Sequence, residues 1–407
     1  MEYGCIGEHL AHSFSKEIHN RIAPYSYEIC EVAREDLESF MMKRDFRAIN
    51  VTIPYKEAVI PFLHFIDDTA KSIGAVNTIV NKDGRLYGYN TDFMGMSALA
   101  SRIGIDFTGR KVLVLGTGGT SKTAVAVAKS KGAAEVITVS RSQGVTYEIA
   151  KELHADAEII INTTPSGMYP NNDSSPIDVN DYPKLEAVLD AVYNPLETKL
   201  VHAARAKGIK AECGLYMLVA QAVFASEKFL EKTYDSSVTD TVFRDVLLQK
   251  QNIVLTGMPG SGKTTVGKII ASVTGRKFID TDEIIVSKHG EITGIFEKYG
   301  EKTFRDMESE AIREAGRNCG CVIATGGGAV LREENVAELK INGKIFFIDR
   351  PLSDLLPTED RPLARDADAI RKRYEERYGI YCSAADVIVA VNEGPDETAQ
   401  KIIKEMM

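Results

Sequence analysis

Apolar positions in this chain gather in short runs, and glycine-rich breaks follow two of the strongest of them. The segment 111–115 (KVLVL) reads as a strand buried on both faces, because an unbroken aliphatic run suits the interior of a parallel sheet. It leads into GTGGTSKTAVAVAKSKGA, a glycine turn running into an alanine-rich helix, and then into a second strand at 135–139 (EVITV). Further on, Ile253, Val254 and Leu255 form another apolar run, followed by GMPGSGKTT at 257–265 and a helical pattern over 266–273. The first hundred residues are mixed, with strands predicted at 2–6, 27–31, 48–53 and 77–81. Strands alternating with helices in this way predict an α/β protein built on parallel sheets.

At 407 residues the chain is too long for one core, and two or three domains are expected. Its 44% hydrophobic and 26% charged content is ordinary for a globular protein. The net charge of −9 argues against a general nucleic-acid or membrane-surface partner, since both require a basic face. Six cysteines are scattered without CxxC pairs or zinc spacing, so neither a disulfide framework nor a structural metal is expected. No run approaches bilayer length and the N-terminus lacks a signal-peptide pattern, which together predict a cytoplasmic protein.

The two glycine turns carry the first chemistry. In 257–265 the spacing GxxxxGK[ST] makes Gly257, Gly260 and Gly262 the points where the backbone curls, so that loop amides, with Ser261 and Thr265 among them, cradle a nucleotide phosphate. Lys263 would neutralise the β and γ phosphates and Thr264 would ligate Mg2+. In the earlier turn, Gly116, Gly118 and Gly119 suit a dinucleotide pyrophosphate at a helix N-terminus, as in a Rossmann βαβ unit, although Ser121 stands where Gly or Ala is usual. After the second strand come Ser140, Arg141 and Ser142. An arginine flanked by hydroxyls, where NAD-binding folds place an acid, suits the 2′-phosphate of NADP(H).

Eight motifs then occur in order: HSFSKEIHN (12–20), NVTIPYK (50–56), GAVNT (74–78), GYNTD (88–92), GTGGTS (116–121), NTTPSGM (162–168), DAVYNPLET (190–198) and GLYMLVAQ (214–221). As a set they resemble shikimate dehydrogenases. The resemblance implies a substrate domain at 1–103 and 214–248, an NADP-binding Rossmann domain at 104–213, and a site in the cleft between them. It implies that Lys56 and Asp92 form the catalytic pair, that Ser13, Ser15, Thr52, Asn77 and Gln221 bind the substrate, and that Gly214 belongs to the cofactor side. His9, Lys16 and the SRS sequence depart from the family pattern. His12 and His19 read as structural hydrogen-bonders rather than metal ligands.

Residues 250–407 resemble shikimate kinases through the phosphate loop, FIDTDE (278–283), YGEKTFRDME (299–308), TGGGAV (325–330), DRPLA (360–364) and RYGIYCSAAD (377–386). Two carboxylates at alternate positions after a strand, Asp280 and Asp282, suit the magnesium water shell and a substrate hydroxyl respectively. The resemblance implies that Arg305 and Arg377 bind the shikimate carboxylate, that Gly326, Gly327 and Gly328 approach its ring, and that Arg361 closes on the nucleotide phosphates. The stretch from Arg361 to Arg377 is short and Gly379 replaces a usual proline, which leaves Arg373 as the alternative to Arg377.

Taken together, these readings imply a bifunctional enzyme using NADP(H), ATP and Mg2+. It would reduce 3-dehydroshikimate to shikimate and phosphorylate the product. Two alternatives stay open: a quinate-type substrate with a kinase for another small polyol, or a catalytically dead dehydrogenase-like module regulating a kinase. Homo-oligomerisation is also open.

Overall fold

The computed structural model describes residues 1–8, 10, 14–355 and 367–406, with side chains from 370 onward in the last stretch. Two compact units emerge, Met1–Val246 and Leu247–Met407. The boundary falls inside a helix, Ser237–Lys250.

The first unit contains two sheets. One is formed by β1 (Tyr3–Gly7), β2 (Tyr27–Glu31), β3 (Ala48–Val51), β4 (Phe65–Ile66), β5 (Thr78–Lys82) and β6 (Arg85–Tyr89), in the order β2-β1-β3-β5-β6-β4. Strands β1, β2 and β3 run parallel, whereas β5 pairs antiparallel with both β3 and β6. The strand predicted at 48–53 stops at Val51. Pro54 has no N–H to give a ladder, and the chain turns outward there, leaving Ile53 exposed.

The other sheet is wholly parallel, with β7 (Lys111–Leu115), β8 (Glu135–Ser140), β9 (Val145–Thr146), β10 (Ile159–Asn162), β11 (Ala187–Asp190) and β12 (Lys210–Glu212) in the order β12-β11-β10-β7-β8-β9. Side chains of β7 divide between the two faces: Val112 and Val114 enter one core cluster with Met96, Val127 and Ile161, and Leu113 and Leu115 enter the opposite one with Val188 and Leu200. The unbroken apolar run is thus explained by burial on both sides. Strand order reverses between β7 and β10, so the crevice at their carboxyl ends is the switch point where ligands bind in such sheets.

Helix Leu215–Leu230 returns from this sheet to the first one and packs on helices Thr91–Arg102 and Ser15–Ile22. The approach to Thr91–Arg102 is close enough that a Cβ at Gly95 would lie 2.7 Å from the Met217 carbonyl oxygen. Any larger residue at Gly95 would force the two helices apart.

The second unit is a five-stranded parallel sheet of β13 (Asn252–Thr256), β14 (Phe278–Asp280), β15 (Val322–Ala324), β16 (Gly343–Asp349) and β17 (Val387–Ala390), in the order β14-β15-β13-β16-β17. Central β13 is buried throughout, with Ile253 and Leu255 in one cluster and Val254 in another. Its carboxyl end delivers the phosphate loop into helix Lys263–Thr274. Among the described residues, no helix is long and apolar enough to cross a membrane.

Candidate active sites

In the first unit, Lys56 Nζ lies 2.6 Å from Asp92 Oδ2, with both side chains largely withdrawn from solvent. Asp92 is fixed by its place in the first turn of Thr91–Arg102. Asn90 caps that helix by accepting from Phe93 N at 3.1 Å, and its own amide donates to Ala75 O at 2.9 Å. A polar layer lies beside the pair. The Thr91 amide donates to Asn77 Oδ1 at 2.7 Å, and Asn77 Nδ2 donates to Thr91 Oγ1 at 3.1 Å and to Gln221 Oε1 at 3.4 Å. Asn77 and Gln221, both named from sequence, therefore meet from opposite ends of the unit. Thr52 and Ser15 are partly exposed, Ser15 opening its helix, while Ser13 and His12 lie outside the described residues.

The glycine turn faces this pair. A Cβ at Gly119 would lie 3.5 Å from Lys56 Cδ, which places this turn against the Lys56 side chain. Gly118 caps helix Gly119–Ser130 without a side chain, leaving the first amides of that helix for a ligand. Ser121, the departure from the usual fingerprint, is buried and donates to the Gly116 carbonyl at 2.6 Å, closing the turn with a hydroxyl. At the end of β8, Ser140 exchanges hydrogen bonds with the Gln143 backbone, whereas Arg141 and Ser142 are exposed. Gly214 sits where β11's outgoing loop crosses the start of Leu215–Leu230, its N–H donating to Val192 O at 2.8 Å.

Behind the site, His19 is fully buried and stacks on Tyr27 with centroids 3.9 Å apart. Tyr27 donates to Asn50 Oδ1 at 2.7 Å, and Asn50 Nδ2 donates to Asn77 O at 3.2 Å and Thr78 Oγ1 at 3.1 Å, so this core supports the polar layer. The structural role expected for His19 fits its bond with Tyr25 OH at 2.6 Å. Burial pulls its imidazole pKa down to about 3. The unfolded chain then binds an extra proton between that value and ~6.5, so stability falls as pH drops through this window, by up to ~1.4 kcal/mol per pH unit. His19→Gln is expected to flatten the slope between pH 5 and 6.5 relative to wild type, as measured by urea unfolding at several pH values. An unchanged slope would mean that other groups dominate.

In the second unit, Gly257, Gly260 and Gly262 all have positive φ (149°, 82° and 94°), as a loop curling its amides inward requires. Lys263 is buried, and its ammonium donates to Gly257 O at 2.9 Å and Met258 O at 3.0 Å. The Ser261 hydroxyl is buried in the loop with no hydrogen-bond partner, an orphaned polar atom that fits a site for phosphate. Thr264 Oγ1 donates to Asp280 Oδ2 at 2.9 Å, bringing together a hydroxyl and a carboxylate, two hard oxygens of the kind that could hold Mg2+. Asp280 also caps helix Thr281–His289 by accepting from Asp282 N at 3.0 Å. Thr265 is exposed on the loop's helix.

Beside Asp282 stands a cluster of arginines. Arg305, buried, donates through Nη1 to Glu308 at 2.7 Å and through Nη2 to Glu301 at 3.0 Å. Burial opposes its charge, but these acids more than offset that and hold its pKa above the ordinary value. A Cβ on Gly328 would lie 1.8 Å from Arg305 Nη1, and one on Gly326 would lie 2.7 Å from Asp282 Oδ1, so the glycine triplet is what lets backbone, guanidinium and carboxylate share this space. Arg377 is buried and reaches the Gly327 carbonyl at 3.4 Å, where Tyr381 OH also donates. Arg373 is partly exposed, and its pKa is lowered by burial and then by the positive charge of Arg377. Of the two arginines, Arg377 is the one in contact with the glycine triplet. Arg361 lies outside the described residues.

Sequence reasoning missed Thr91, Asn50, Glu301 and Glu308. Glu301 and Glu308 stand four residues before and three after Arg305 on one helix, a spacing that puts both within reach of it and was available as a signal.

The geometry defines a two-lobed α/β dinucleotide-dependent oxidoreductase followed by a phosphate-loop kinase. Comparison with known proteins agrees. The family model for the shikimate dehydrogenase substrate binding domain matches residues 5–79, and that for shikimate kinase matches residues 259–407. The NADP(+) shikimate dehydrogenase of Clostridium perfringens (strain SM101 / Type A) is 37% identical over 266 residues, covering 60% of this chain and 97% of that protein. A crystal structure of Thermus thermophilus shikimate 5-dehydrogenase in complex with NADP(H) and shikimate is 30% identical, with a TM-score of 0.54 over 60% of this chain and 99% of its own. A chorismate mutase/shikimate 5-dehydrogenase fusion from Clostridium acetobutylicum is 34% identical, with a TM-score of 0.57 over 60% of this chain and 96% of its own. The chain belongs to the shikimate dehydrogenase family and carries a shikimate kinase domain after it, making it a bifunctional shikimate-pathway enzyme with NADP-dependent dehydrogenase and kinase activities.

Proposed function

We propose that the first unit reduces 3-dehydroshikimate to shikimate and that the second phosphorylates shikimate on its 3-hydroxyl. The observation that carries the first half is the part-buried Lys56–Asp92 pair lying against the glycine turn. NADPH, when bound, supplies a hydride to the 3-keto carbon. Lys56 donates the proton that the resulting alkoxide needs, so that one hydride and one proton complete the alcohol. Asp92 holds the Lys56 ammonium in place through their 2.6 Å contact. Ser13, Ser15, Thr52, Asn77 and Gln221 bind the carboxylate and hydroxyls, and their amides and hydroxyls reject a substrate lacking those groups. Gly116, Gly118, Gly119 and Gly214 form the cofactor cradle, while Arg141 with Ser140 and Ser142 recognises the 2′-phosphate.

In the second unit, Arg305 and Arg377 bind the shikimate carboxylate, because a planar guanidinium meets a carboxylate through paired hydrogen bonds. Asp282 aligns the 3-hydroxyl and accepts its proton. MgATP, when bound, supplies the phosphoryl group. Lys263 and the loop amides would neutralise phosphate charge, Thr264 and Asp280 would hold Mg2+, and Arg361, outside the described residues, is assigned to the nucleotide phosphates.

Incubation of the full chain with 3-dehydroshikimate, NADPH and MgATP tests both halves at once. Loss of NADPH should precede ADP formation, with shikimate and then shikimate 3-phosphate appearing. ADP formed without shikimate 3-phosphate, or faster oxidation of quinate than of shikimate, would overturn the substrate assignments.

A further inference from the structure

In the kinase site, Glu301 occupies a position that the proposed chemistry reserves for the substrate. Its carboxylate accepts from Arg305 Nη2 at 3.0 Å, and its negative charge also acts on Arg373. The other acid on Arg305, Glu308, is only 1% exposed and is held in place by the surrounding protein, whereas Glu301 is 53% exposed. Glu301 also follows a break in helix Ile292–Gly316, where Gly300 adopts φ 79° and ψ 170°. It therefore begins a new helical segment, where a released carboxylate remains well placed against water and the segment's N-terminal amides. Glu301 thus places its negative charge on two of the site's arginines, Arg305 by direct contact and Arg373 through space.

We infer that Glu301 is a built-in competitor for the substrate carboxylate, occupying Arg305 until a carboxylated substrate displaces it. This rests on the reading that Arg305 binds the shikimate carboxylate. Glu301 thereby sets the affinity for the acceptor without taking part in phosphoryl transfer, and it favours ligands whose carboxylate can replace its own.

The test is Glu301→Gln in the full chain, an isosteric change at a half-exposed position. Shikimate binding by calorimetry without nucleotide should tighten by up to about fivefold, the upper end of what one exposed ion pair supplies. KM for shikimate should fall in parallel, with kcat and KM for ATP unchanged. The methyl ester of shikimate, which lacks the charge, should bind wild type and variant equally. Arg305→Lys, measured alongside, should weaken shikimate binding at least tenfold. If Arg305→Lys weakens binding but Glu301→Gln leaves it unchanged or weaker, the competitor role is overturned and the carboxylate reading stands. If Arg305→Lys has no effect, the carboxylate reading fails and the competitor role falls with it.

Discussion

Replacing Lys56 with alanine is expected to lower shikimate-dependent NADP+ reduction by about a thousandfold or more while leaving phosphorylation of added shikimate within twofold of wild type. General acid–base groups supply ~10²–10⁴-fold, and among the described residues no other ammonium is paired with Asp92. The substitution also strands Asp92 as a buried carboxylate without its partner, which costs about 3–5 kcal/mol in comparable sites. Loss of activity by unfolding must therefore be separated from loss of the proton donor. Lys56→Ala/Asp92→Asn removes both charges, so its thermal midpoint should recover towards wild type although its dehydrogenase activity should not. Kinetic effects of the two single changes should be far from additive, because the pair acts as one unit. If Lys56→Ala keeps a kcat within tenfold of wild type, Lys56 is not the proton donor.

The elements that were legible in the sequence are those whose cause is local. KVLVL had to be a strand buried on two faces, and it is β7, with successive residues entering opposite clusters. GxxxxGKT fixed both loop and helix because its glycines are needed for positive φ. Less legible was whatever depends on distant partners. Asn77 and Gln221 are 144 residues apart in sequence, and their meeting depends on the close passage of two helices at Gly95, for which no spacing rule exists. Ser121 broke the expected fingerprint, yet its hydroxyl bonds the turn that a smaller residue would have left open. Glu308 was hidden for another reason: an acid in a charged helical sequence gives no sign of being buried until the guanidinium it holds is located. The strand end at Val51 shows the converse, a local rule overlooked, since Pro54 already argued against extending that strand to residue 53.

Removing the ammonium at position 263 should have an effect as large on the other reaction. Lys263→Met is expected to reduce kinase kcat by about a thousandfold, with dehydrogenase rates unchanged, because charge placed at the transferring phosphates is strongest where water is excluded. Two consequences of the change have to be distinguished. Lys263 Nζ donates to the Gly257 and Met258 carbonyls, so its loss removes a donor from two loop acceptors as well as a charge from the phosphates. A loosened loop would chiefly weaken nucleotide binding and raise KM for ATP. A missing transition-state contact would chiefly lower kcat. Methionine retains the apolar stem of a side chain that is 7% exposed, so a fall in kcat with ATP affinity within about tenfold would assign the role to charge. A collapse in ATP affinity with kcat preserved at saturation would reject it. Since Lys56 and Lys263 lie in different compact units, Lys56→Ala/Lys263→Met should show the two single losses side by side. Any tenfold cross-effect between dehydrogenation and phosphorylation would then mark a coupling that independent sites do not produce.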